Sequence, residues 1–157
     1  MRGLGRIQGG GIVAGGTLSW APVVTQSGNP TYTSRSAFWT RDAGCRWIQG
    51  SAVIIIAGTG GCVANNPISI TEPVNHASWY VGGVGGSFVV GTATIYDSSA
   101  GLIYPGHVVT GVAGSLYILP SHNTTGALMG YTASSSMAAA LAAGDAIAMT
   151  FAYEAAA

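Results

Sequence analysis

The side chains able to move protons or hold a metal are few in this chain and stand far apart. They are five carboxylates (Asp42, Glu72, Asp97, Asp145 and Glu154), three histidines (His76, His107 and His122) and two cysteines (Cys45 and Cys62). Glycoside hydrolysis needs two carboxylates held ~5–9.5 Å apart across a cleft. Glu72 with Asp42 is the pair that could serve, but no local feature specifies it. Asp97 opens a turn and Asp145 follows Gly144 ahead of a strand, both ordinary places for Asp. The histidines are isolated from other ligand types, and no GxSxG elbow accompanies them. Each reads as a loop or strand-edge residue.

The cysteines have three readings. A metal site wants four ligands, and no CxxC or paired-histidine motif is present. A disulfide is disfavoured: Cys62 falls in the loop of a long hairpin and Cys45 at the far end of its first strand, about 12 residues away at ~3.3 Å each. Two unrelated thiols, buried or half-buried, is the simplest reading. The run Gly82-Gly83-Val84-Gly85-Gly86-Ser87 lacks the GxGxxG order, and there is no GxxxxGK[ST] to cradle phosphate. Among the aromatics, Trp79-Tyr80 beside Asn75-His76 is the pair expected to touch a ligand, such as a sugar stacked on a ring. Core or subunit-interface packing is the expectation for most of the others. No catalytic residue, metal site or cofactor is expected.

These residues would be positioned by β-strands. Alternation is plainest at 146–153, where Ile147, Met149, Phe151 and Tyr153 face one way and Ala146, Ala148, Thr150 and Ala152 the other. Residues 88–96 alternate too, with Val89, Ala93 and Ile95 opposite Val90, Thr92, Thr94 and Tyr96. Further strands are expected at 17–25, 32–41, 46–57, 68–72, 77–84, 102–112 and 114–120, separated by Gly, Pro, Asn and Ser clusters. Ser134 to Gly144 could form a short helix, with a loop into the last strand as the preferred alternative. About eight or nine short strands read as an antiparallel sandwich or barrel. Residues 1–16 hold seven glycines and have little reason to fold alone. They are either a flexible tail or, with Leu4, Ile7, Ile12 and Val13 as anchors, an arm lying on a neighbouring subunit.

Charge supplies the argument about function. The chain has 157 residues, with five arginines, five acids and no lysine, and 48% of it is apolar. An ordinary soluble domain is roughly a quarter charged, and a free monomer needs charge spread over its surface. Net charge is zero and the arginines are scattered, so nucleic-acid binding is not expected. The longest strongly apolar run, Ala52 to Ala57, falls far short of the ~20 residues of a membrane helix. Met1 to Arg6 leads into glycine-rich sequence without the apolar segment of a signal peptide. That apolar run is two-faced, where a strand with one wet face would alternate. One face can enter the domain's own core. The other, expected to present Val53, Ile55 and Ala57, must be covered by a neighbouring copy or by a loop or arm of the same chain.

Several stretches carry a resemblance. Trp20-Ala21-Pro22-Val23-Val24-Thr25 precedes Asn29-Pro30-Thr31. Phe38-Trp39-Thr40-Arg41-Asp42-Ala43-Gly44-Cys45-Arg46-Trp47-Ile48 then enters the apolar strand. Thr94 to Gly101 and Ala143-Gly144-Asp145 through Phe151 to Ala155 complete the set. Over about residues 17–155 the chain resembles the small jelly-roll modules of tailed-bacteriophage virions, found in capsid decoration proteins and minor tail proteins, particularly in phages of actinobacterial hosts. It departs from the usual form of the second stretch, with two residues between Arg41 and Gly44 instead of one.

The resemblance implies an all-β antiparallel jelly-roll β-sandwich over 17–157 behind a Gly-rich N-terminal arm at 1–16. It implies a non-enzymatic, homotrimeric virion protein, and the family offers no catalytic residues to transfer. The expected partners are copies of itself and the phage major capsid protein or tail proteins, with no nucleic acid and no membrane insertion. As a decoration (cement) protein the chain would be made in the host cytoplasm and sit on the head exterior, stabilising the shell. The alternative is a minor tail or fibre-tip protein that attaches to host-surface glycans, with Trp79 and Tyr80 as contacts.

Overall fold

Period-two alternation requires each strand to bury one face, and the strands satisfy that requirement within a single sheet. The computed structural model describes residues 17–41, 46–77, 88–112, 114–121 and 139–156. In chain order the strands are β1 (Leu18–Ser19), β2 (Val24–Thr25), β3 (Thr31–Arg41), β4 (Trp47–Gly58), β5 (Ile68–Thr71), β6 (Val89–Asp97), β7 (Leu102–Thr110), β8 (Ser115–Pro120) and β9 (Ala146–Glu154). They form one antiparallel sheet, ordered β1-β3-β4-β9-β6-β7-β8-β5-β2, that curls into a half-barrel. The run β9-β6-β7-β8 has Greek-key order: three hairpin-connected strands, and a fourth returning by a long connection beside the first.

The expected strand at 17–25 is corrected to two short ones. Leu18 and Ser19 pair with Trp39 and Phe38 of β3, whereas Val24 and Thr25 pair with Ile70 and Ser69 of β5. Pro22 has no N–H for a ladder, so the chain turns a corner there and changes partner. One segment therefore hydrogen-bonds to both ends of the sheet. The corner is pinned from β3: the Arg35 guanidinium donates to the Pro22 carbonyl at 3.0 Å, and Tyr32 Oη accepts the Val24 N–H at 2.8 Å. Arg35 also lies over the Tyr32 ring, 4.4 Å from its centroid.

The concave face of the half-barrel is the core. Ile48, Ala52, Ile54 and Ile56 of β4 pack there with Ile147, Met149, Phe151 and Tyr153 of β9 and Ala93 and Ile95 of β6. Leu116, Ile118, Ile68, Ile70 and Val24 complete it from the far side. The alternation expected for β9 is present throughout. In β6 it fails at its start, where Val89 is exposed, because the register against β7 slips between Val89 and Gly91. That bulge brings the backbones very close. A Cβ added to Gly91 would lie 1.9 Å from the Thr150 carbonyl oxygen, so only glycine fits.

Residues 139–144 form no helix; Ala142 to Asp145 make a turn in which Gly144 has φ of +89°. The rest of the expected helix, the arm 1–16 and most of the expected strand 77–84 lie outside the described residues.

Candidate functional site

Two carboxylate clusters are built into the turns at the ends of the sheet. In the first, Glu72 and His76, four residues apart in the connection after β5, form a pair whose side chains are both 0% exposed. Glu72 Oε1 meets His76 Nδ1, and Oε2 accepts the backbone N–H groups of His76 at 3.0 Å and Gly114 at 3.2 Å. Burial pushes the Glu72 carboxyl above its usual range, against the hydrogen bonds and charge of His76 that pull it down. The Tyr153 ring stands edge-on to His76, and its hydroxyl donates to the Val74 carbonyl at 2.6 Å. Burial first, and the Glu72 charge second, raise that phenol well above its ordinary value. His76 is thus a loop residue at a strand edge, bridged to Ala155 as its position led us to expect, but it is buried and bonded to Glu72 rather than isolated from other ligand types. The cluster anchors the 72–76 loop to β9, where Ala77 N–H also donates to the Glu154 carbonyl.

The second cluster joins two turns. Asp97 Oδ1 accepts the Ser99 N–H, the Ser99 hydroxyl and the Ala100 N–H, which fixes the β6–β7 turn. Asp145 Oδ1 accepts the N–H and hydroxyl of Ser98, each at 2.9 Å, while its Oδ2 accepts the Ala142 N–H at 2.8 Å. The turn before β9 is thereby fastened to the turn after β6. Both carboxylates are buried; Asp97 is committed to donors of its own turn, and Asp145 to one donor of its own turn and two of the turn after β6. Surrounded in this way, the two carboxylates hold the backbone of both turns in place.

The remaining titratable candidates are dispersed. Cys62 is a half-buried free thiol, 3.7 Å from the Gly28 carbonyl oxygen, and burial raises its pKa. His107 lies on β7 opposite Thr92 and Leu119. Among the described residues no three His, Cys, Asp or Glu side chains come together as a metal site, and no helix is long and apolar enough to cross a membrane. Asp42, Cys45, His122, Trp79 and Tyr80 lie outside the described residues.

The convex face offers more than the titratable groups. Residues directly opposite in neighbouring strands share a face, so the register defines rows across β3, β4, β9, β6 and β7. One row is Ser36, Val53, Ala148, Thr94 and Pro105; another is Ser34, Ile55, Ala146, Tyr96 and Ile103. A third is Phe38, Ser51, Thr150, Thr92 and His107, in which the Thr92 and Thr150 hydroxyls are 3.1 Å apart. Val53 is 49% exposed, Ile55 36% and Ile103 61%; Phe38, Tyr96 and Ala57 are exposed as well. Along β3, β4, β9 and β6, Glu154 at the end of β9 is the only charged residue among the described outward positions.

Val53, Ile55 and Ala57 thus occupy the outward face assigned from sequence, and they belong to a wider patch. The sequence reading missed Phe38, Tyr96 and Ile103. The small residues of β9, already visible in its alternation, were the signal for the rest of the patch. No protein-family model matches the chain, and neither a curated protein nor a solved structure shows significant similarity to it.

Proposed function

We propose that this chain is a non-enzymatic structural protein of a tailed-bacteriophage particle, a homotrimeric decoration protein that binds the capsid exterior and stabilises the shell. The observation that carries the reading is the convex face: a sheet surface almost without charge, with Val53, Ile55, Phe38, Tyr96 and Ile103 exposed together. Patches of this kind on a soluble domain mark protein contacts. Val53 is 49% and Ile55 36% exposed, so covering what remains of each gains about 1 kcal/mol, and the patch as a whole supplies the drive for docking between subunits.

Topology supports the finer fold assignment. β3-β4-β9-β6-β7 can form one layer of a jelly roll and β8, β5 and the segment 18–25 the other, with that N-terminal segment in an edge-joining position. The carboxylate chemistry supports the non-enzymatic part, because Glu72, Asp97 and Asp145 are consumed by structural hydrogen bonds. Imaging of particles labelled with an antibody to this chain tests the role. Label on the head is expected; label on the tail moves the protein to a minor tail position, and particles without label overturn the reading.

A further inference from the structure

At the Thr40 end of the convex face an open groove of about 510 Å³ crosses β3, β4, β9 and β6. Its floor is made of small residues, Ser51, Thr150 and Ala152, with Phe38 on one side and Val90 on the other, and no charged residue lines it. Resting on the homotrimer reading above, we infer that this groove receives the β7–β8 turn of a neighbouring copy, with Val112 as the inserted side chain.

Turns at a protein surface ordinarily carry polar side chains, yet this one reads Gly111-Val112-Ala113-Gly114. Val112 is 62% exposed, more than any other large apolar residue among those described. The positions flanking it keep the tip narrow. A Cβ on Gly111 would lie 2.0 Å from the Tyr117 ring, and Gly114 has φ of +91°, so neither place suits a side chain.

The tip is held as well as slim. The Ser115 N–H donates to the Val112 carbonyl at 3.0 Å, and the Gly111 N–H to the Ser115 carbonyl at 3.1 Å. The Glu72 backbone N–H donates to the Gly114 carbonyl at 3.1 Å, while the Glu72 carboxylate accepts the Gly114 N–H. The buried Glu72–His76 pair therefore fixes the backbone from which Val112 projects. An apolar knob presented on a rigid support loses little freedom on docking.

Symmetry agrees with this pairing. A closed ring of three needs two different patches on each copy, one meeting the other on the next copy. Rotation about an axis along the strands leaves each patch at its own height, so the two patches must stand at the same end of the sheet. They do: Val90 lines the groove, its neighbour Val89 pairs with Val109, and the Phe88 carbonyl accepts the Thr110 N–H at 3.0 Å. Val112 follows two residues beyond Thr110. The turn joins β7 and β8, which lie outside the four strands of the groove, and its hydrogen bonds keep it there. It is thus placed for a neighbour's groove and not for its own.

Cross-linking tests the inference. In the full chain carrying Cys45→Ser and Cys62→Ser, Val112→Cys is combined with Thr150→Cys and the protein is mildly oxidised. A species of three chain masses, bridged all round, is expected on a non-reducing gel. If the parent chain is a trimer by light scattering but the folded pair variant does not bridge, or bridges only within one chain or into dimers, the inference is overturned and the homotrimer reading stands. A parent chain that is a monomer overturns that reading, and the inference with it. If the pair variant does not fold, Val112→Asp alone decides: far-UV circular dichroism should be unchanged and the trimer weakened about tenfold or more. A trimer of undiminished stability in that variant overturns the inference.

Discussion

Glu72 accepts the backbone N–H of His76 through one carboxylate oxygen and meets the His76 ring through the other, with neither side chain reached by solvent. A loop thus closes on itself and is locked against the turn that leads into β8, since the same carboxylate also takes the Gly114 N–H. Buried pairs of this kind cost much when one partner is removed.

Glu72→Ala leaves the N–H groups of His76 and Gly114 without an acceptor. Each unsatisfied buried donor costs about 1–3 kcal/mol, so a loss of about 2 kcal/mol or more is expected in urea unfolding. Glu72→Gln retains an amide oxygen and costs less. Equal loss in the two variants would show that volume, not hydrogen bonding, matters at this position.

The Asp97 turn sets an acid limit on stability. Burial pushes the Asp97 carboxyl up, but the donors of Ser99 and Ala100 together outweigh it and hold the group below the usual Asp range. The unfolded chain therefore takes up this proton at higher pH than the folded one. The contribution is present above the ordinary Asp range, near pH ~4, and is lost as pH falls through the depressed value. Asp97→Asn should flatten the acid limb of a stability profile. A limb as steep as that of the parent protein would exclude Asp97 as its source.

Ile55 and Ile56 separate assembly from folding by a single residue step. Ile56 is 1% exposed in the core, and Ile56→Asp buries a carboxylate there, which should abolish folding. Ile55 faces outward. Ile55→Asp should leave far-UV circular dichroism intact and weaken self-association tenfold or more, since ~1.4 kcal/mol is a factor of ten. Loss of fold in both would place the Ile55 side chain under its own chain.

Trp79 and Tyr80 distinguish the two places on a particle. For a head protein, Trp79→Ala and Tyr80→Ala should leave attachment to cells unchanged. Intact assembly with abolished attachment would replace decoration by a tail-tip role.

Much of this architecture is legible in the sequence because a strand writes its inner face at every second residue. Ile147, Met149, Phe151 and Tyr153 mark the core unaided, and the unbroken run from Ala52 to Ala57 marks a second apolar face. What depends on partners is not legible. The break of 17–25 into β1 and β2 follows from which distant strand each end meets. The enclosure of Glu72 depends on Gly114, 42 residues further on. Phe38, Tyr96 and Ile103 join Ile55 and Val53 on one face only through the register of β3, β9, β6 and β7, which a one-residue slip would reverse.

The most direct measurement is the mass of the purified chain by light scattering at micromolar concentration. A stable particle of three chain masses, reduced towards one by Ile55→Asp, is the expected result. A stable single chain that stays soluble with its convex face in water would contradict the proposed role.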